Sequence, residues 1–85
     1  MPTLSYFYGI EILMRFLDHN APHIHAKYQG NQITIDIKDG KVKGEISERA
    51  LRLILEWLEE HREELLACWE KVSNGIDPGK VAPLD

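Results

Sequence analysis

The chain has 85 residues, of which 44% are apolar and 28% charged, and its net charge is −4. This composition suits one domain around one core, is too apolar for a disordered chain, and has the wrong sign for unspecific adhesion to nucleic acid or anionic lipid. No apolar run approaches the roughly 18 residues that a membrane crossing needs. The N-terminus lacks the basic, apolar and small-residue sequence of a secretion signal. Cys68 is the one cysteine, so there is no internal disulfide framework, as in proteins of a reducing cytoplasm.

The opening segment carries Leu4, Phe7 and Tyr8, which tie it to the core, and Gly9 marks a bend before the first regular element. Ile10, Ile12, Met14 and Phe16 alternate with Glu11, Leu13 and Arg15, which predicts a strand over 10–16. Residues 17–22 form a loop. Pro22 closes it, having no N–H to give a ladder and biasing Ala21 toward extended geometry. A second strand follows over 23–28, with Ile24, Ala26 and Tyr28 on one face and His23, His25 and Lys27 on the other. Gln29-Gly30-Asn31 is a turn. Ile33, Ile35 and Ile37 define a third strand over 32–38, and Asp39-Gly40 is a hairpin signal. Val42, Gly44 and Ile46 alternate with Lys41, Lys43 and Glu45 in a fourth strand over 41–46, charged as edge strands are.

Ser47 sits where a helix N-cap belongs, with Glu48 in the first turn. Between Glu48 and Gly75 there is neither glycine nor proline. Leu51, Ile54, Leu55, Leu58, Leu65, Trp69 and Val72 make an amphipathic stripe. One helix over that span would be about 39 Å long, too long for a four-stranded sheet to cover. A break or kink in Glu59-Glu60-His61-Arg62 is therefore expected, with helices over 48–60 and 62–73. Asn74-Gly75 stops the helix, and 76–85 is an extended tail. The expected fold is a single α+β domain over 1–85: a four-stranded antiparallel meander with a C-terminal helix, or kinked helix pair, on one face.

The stretch Asp18 to Tyr28 holds three of the four histidines. On a strand, His23 and His25 lie on one face, roughly 6–7 Å apart. Four readings follow. Asp18, His19, His23 and His25 could ligate a divalent transition metal such as zinc, the His-x-x-x-His-x-His spacing permitting it without being diagnostic. His23 and His25 beside Arg15 could act as an acid–base pair on RNA, taking a proton from a ribose hydroxyl. The histidines could be structural, closing the turn and lining a strand. Or the domain could dimerise or hold a partner through an exposed sheet edge or helix face. Trp57 and Trp69 read as core, Cys68 as a buried small residue, and His61 as solvated.

Several segments carry a family likeness. They are Phe7-Tyr8-Gly9-Ile10, His19-Asn20-Ala21-Pro22-His23-Ile24-His25-Ala26, Arg49-Ala50-Leu51-Arg52-Leu53, Glu56-Trp57-Leu58, and His61-Arg62-Glu63-Glu64-Leu65-Leu66 with Trp69-Glu70. Together they resemble the domain-of-unknown-function family DUF4160, small bacterial proteins. Members usually carry proline where this chain has Ala21 and phenylalanine where it has Ile24. The resemblance implies a bacterial cytoplasmic protein working with a small protein partner encoded beside it, as in a toxin–antitoxin pair. It assigns no catalytic residue. His23 and His25 match its motif, and His19 matches less specifically. The leading expectation is a toxin-like member whose histidine face cuts RNA or binds metal; the alternative is a non-enzymatic partner-binding or regulatory module.

Overall fold

The computed structural model describes all residues, Met1–Asp85. Five strands, β1 (Thr3–Phe7), β2 (Ile10–Leu13), β3 (His23–Tyr28), β4 (Asn31–Asp36) and β5 (Val42–Lys43), form one antiparallel sheet in sequential order, followed by α1 (Glu48–Ser73). The class is α+β and the meander is as expected, but the sheet has five strands rather than four.

The extra strand is β1. Tyr8 and Gly9 have φ of 51° and 79°, positive at both central positions as in a type I′ turn. That turn folds Thr3–Phe7 back on β2, pairing Phe7 with Ile10 and Tyr6 with Glu11. The sequence hides it because tyrosine is an unusual residue for the first position of such a turn. Gln29 and Gly30 repeat the arrangement between β3 and β4, with φ of 48° and 82°.

Three strand boundaries are also shorter than the alternation predicts. β2 stops at Leu13 because the Met14 N–H turns to the Pro2 carbonyl, and Phe16 is left exposed on the loop. β4 stops at Asp36, whose carboxylate accepts from the N–H groups of Lys38 and Asp39 and whose carbonyl accepts from Gly40. The turn therefore begins before Asp39-Gly40. β5 keeps two residues: at Gly44 the backbone lies so close to β4 that a Cβ would stand 3.1 Å from the Gln32 carbonyl, and the chain then leaves the sheet.

The core is built where period two meets period 3.6. Ile10, Ile12, Ile24, Ala26, Ile33 and Ile35 of the strands pack with Ala50, Ile54, Trp57, Leu58, Leu65, Trp69 and Val72 of the helix. Ser47 caps the helix, its hydroxyl accepting from the Ala50 N–H at 3.1 Å. The helix ends in a Schellman arrangement: Ile76 N–H reaches the Lys71 carbonyl, Gly75 N–H reaches the Val72 carbonyl, and Gly75 takes φ 74°. Its one irregular residue is His61 (φ −119°, ψ 18°), inside the polar stretch. There the Arg62 guanidinium donates to the Ile37 carbonyl at 2.9 Å. This pins the kink to the end of the sheet and lets both halves of a 26-residue helix stay in contact with a molecule 33 Å long. His61 is partly buried, packed on Trp57 and 3.2 Å from Glu64, rather than freely solvated.

The tail is tied down. Val81 N–H donates to the Leu4 carbonyl on the edge of β1, and Trp57 Nε1–H donates to the Ala82 carbonyl at 2.8 Å. The loop 14–22 is fastened to the C-terminal end of the helix by Leu17 N–H to the Val72 carbonyl and by the Ser73 hydroxyl to the Asp18 carbonyl. That fastening brings the histidine-rich stretch against α1.

Candidate functional site

Polar side chains gather in two groups, one at each end of β3. At the first end are His23 and His25, with Asp18 from the loop. The rings of His23 and His25 meet edge to face at 5.1 Å, and His23 also packs on Trp69 of the helix at 5.1 Å. The Ala21 carbonyl can only accept, so His23 Nδ1 carries a proton and donates to it at 2.9 Å. The remaining nitrogen, Nε2, faces Asp18 Oδ2 at 3.6 Å. Both ring nitrogens of His23 are therefore directed at protein oxygens.

His25 is only 6% exposed. Its Nδ1 lies 3.1 Å from the Gln32 side-chain amide nitrogen, and its Nε2 is buried without a hydrogen-bond partner. Burial pushes its pKa down, helped by the charges of His23 and Arg15. His25 is thus held neutral, inside the sheet rather than on it. Asp18 is 7% exposed. Its Oδ1 accepts from the backbone N–H of Asn20 at 3.0 Å and from the Asn20 side chain at 2.9 Å. The Asn20 N–H holds the carboxyl below the usual carboxylate range, against the opposing effect of burial and with the help of the His23 charge. Asp18 is the anchor of its own loop.

The other sequence candidates stand apart. Arg15 and His19 are exposed, and neither makes a side-chain hydrogen bond or ion pair within the chain. Arg15 acts on His25 and Asp18 only through its charge. No three His, Cys, Asp or Glu side chains come together in an arrangement that could hold a metal ion. The expected metal set of Asp18, His19, His23 and His25 forms no such group: His19 is exposed on the loop, and His25 Nε2 is buried without a partner. Asp36, directly across from His23, leads instead into a groove of about 660 Å³, lined also by His23, Thr34, Lys41, Lys43 and Asp39. Two lysines and two aspartates leave that groove close to neutral.

The second end was not legible as a site. Here the tips of the two type I′ hairpins stand side by side. Tyr6, Glu11, Lys27, Tyr28, Asn31 and Gln32 surround an open groove of about 390 Å³ floored by Gly9 and Gly30. Glu11 and Lys27 are directly opposite across β2 and β3. Tyr6 is 63% exposed and Tyr8, at the hairpin tip, is half exposed. A third, smaller surface group is apolar: Leu17, 65% exposed with φ 58°, stands near Gly75, beside exposed Phe16 and Ile76.

Among known families, the profile described as "Domain of unknown function (DUF4160)" matches residues 9–70. No curated protein and no solved structure matches the chain. The matched span includes β2 to β5, both motif histidines and the helix through Glu70. No helix is long and apolar enough to cross a membrane.

Proposed function

The chain belongs to the DUF4160 family, and on that footing we propose that it is a non-enzymatic binding module, the partner-holding member of a two-protein bacterial system of the toxin–antitoxin kind. One observation carries this reading: the fold itself engages the motif histidines, His25 by burial and the Gln32 contact, His23 by its bond to Ala21 and its packing on Trp69. In His23, Nδ1 donates to the Ala21 carbonyl while Nε2 faces Asp18 at 3.6 Å without a hydrogen bond; in His25, Nδ1 meets Gln32 and Nε2 is buried. A general base must come within hydrogen-bond reach of the proton it takes. The histidines serve instead to lock the loop 17–22 onto β3 and the helix. What remains on the surface for a partner is aromatic and apolar: Tyr6 and Tyr8 at one end, Phe16, Leu17 and Ile76 at the other.

The RNA-cutting reading keeps one supporting observation, that His23 and the two lysines Lys41 and Lys43 line the same groove. The two readings separate in one experiment. The chain is expressed alone, and together with the small protein encoded beside it, and growth, RNA integrity and co-purification are followed. A binding module leaves growth and RNA intact and co-purifies with its partner, and His23→Gln changes neither result. RNA loss that requires His23 would overturn the proposal.

A further inference from the structure

We infer that the tail, residues 76–85, exchanges between two copies of the chain, each tail lying in the other copy's groove, and that the apolar patch at the hinge is covered by the same patch of the second copy. The inference goes beyond the binding-module reading and does not depend on it.

The groove gives the first argument. Trp57 and Cys68 stand about three helical turns apart and so lie on one stripe of α1. The Trp57 indole donates to the Ala82 carbonyl at 2.8 Å, and the Cys68 thiol to the Pro78 carbonyl at 3.7 Å. The helical rise between these two donors is about 16 Å, and the chain from Pro78 to Ala82 reaches about 14 Å when extended. The tail therefore runs nearly straight back along the helix. On its other side the Val81 N–H meets the Leu4 carbonyl and the Lys80 ammonium meets the Thr3 carbonyl. Pro78 and Val81 are buried, and the residues on either side of each are exposed. All of these contacts join the tail to the start of β1 or to one stripe of α1, and none uses the hinge at Asn74-Gly75-Ile76. A tail arriving from a second copy makes the same set.

The hinge gives the second. Exchange leaves the tail contacts unchanged, so it is favoured only by what a second copy adds where the two chains cross. Six large apolar side chains are exposed, and three of them, Phe16, Leu17 and Ile76, gather there. A Cβ on Gly75 would stand 3.4 Å from the Leu17 side chain, which places the patch against the hinge itself.

Charge gives the third. Arg15 precedes Phe16 and Asp77 follows Ile76, so the two segments of the patch carry opposite charges. Arg15 is exposed, and Asp77 Oδ1 serves the Gly79 N–H. A twofold contact sets each patch against itself, and this arrangement lets it do so without placing like charge on like.

The test uses the full chain. A tethered tail competes at an effective concentration in the millimolar range. Sedimentation should therefore show a monomer at about 1 µM passing to a dimer toward millimolar chain. Isotope-labelled and unlabelled chains, refolded together, should then give isotope-filtered NOEs between Val81 of one chain and Leu4 of the other. Leu17→Asp, at an exposed position that leaves the monomer folded, should weaken the dimer about tenfold or more. A monomer at millimolar concentration would overturn the inference. So would a dimer whose Val81–Leu4 contacts stay within each chain, or a Leu17→Asp dimer as tight as the wild type.

Discussion

The two ends of β3 carry opposite kinds of chemistry. At the His23 end, groups that look reactive in the sequence are largely taken up by the fold: His23 Nδ1, His25 Nδ1 and Asp18 Oδ1 meet a carbonyl and amides, and His25 and Asp18 are nearly inaccessible. At the Tyr28 end, groups that look bland are left over, and Lys27, Gln29 and Asn31 hold nothing inside the chain. A polar group becomes a candidate for function when the fold leaves it unspent, and residue type alone does not reveal that.

This contrast predicts that substitutions at the first end cost stability and those at the second do not. The largest effect is expected from His25→Ala. It empties a buried site between β2 and β4 and should lower unfolding free energy by about 2–3 kcal/mol in denaturant melts. A loss below about 0.5 kcal/mol would mean that the histidine end is not structural. Asp18→Ala follows. It removes both bonds to Asn20 and should cost about 1–2 kcal/mol while loosening loop 17–22, seen as faster amide exchange at Asn20.

Acidity sharpens the same comparison. His25 is held below its ordinary pKa of 6.5 in the folded chain, so the unfolded state binds its proton first. Stability should be flat above about pH 7 and fall as pH drops below 6.5, until folded His25 itself titrates. Asp18, held below 3.8, contributes stability that is present above about pH 4 and is lost beneath it. The stability difference between the wild type and His25→Gln should be constant above about pH 7 and shift against the wild type as pH falls below 6.5. A difference that stays constant at every pH would remove His25 from the account.

At the other end, Tyr8→Asn should stabilise the β1–β2 hairpin by up to about 1 kcal/mol, since asparagine tolerates the left-handed conformation. Tyr6→Ala should stay within about 0.5 kcal/mol.

The sequence displayed the fold where periodicity was strong. The isoleucines of β3 and β4, the Ser47 cap, the Asn74-Gly75 stop and the need for a bend near His61 were all readable, because each rests on local chemistry. β1 was not, because its evidence is a turn that begins with tyrosine and its pairing spans only five residues. Of the candidate site, the proximity of His23, His25 and Asp18 followed from strand alternation and a short loop. Their engagement did not follow, because it depends on Trp69, Ser73 and Gln32, which reach them from α1 and β4. The tyrosine groove was hidden for the same reason: it exists only once two hairpins lie side by side.

The central claim, that the unspent end of the sheet is the working end, is tested most directly by mapping the footprint of the proposed protein partner on the isotope-labelled chain by NMR. The account predicts that amides of Tyr6–Glu11 and Tyr28–Gln32 shift or broaden while those of Asn20, His23 and His25 stay in place. A footprint centred on His23 and the Lys41–Lys43 groove, with the hairpin tips undisturbed, would contradict it.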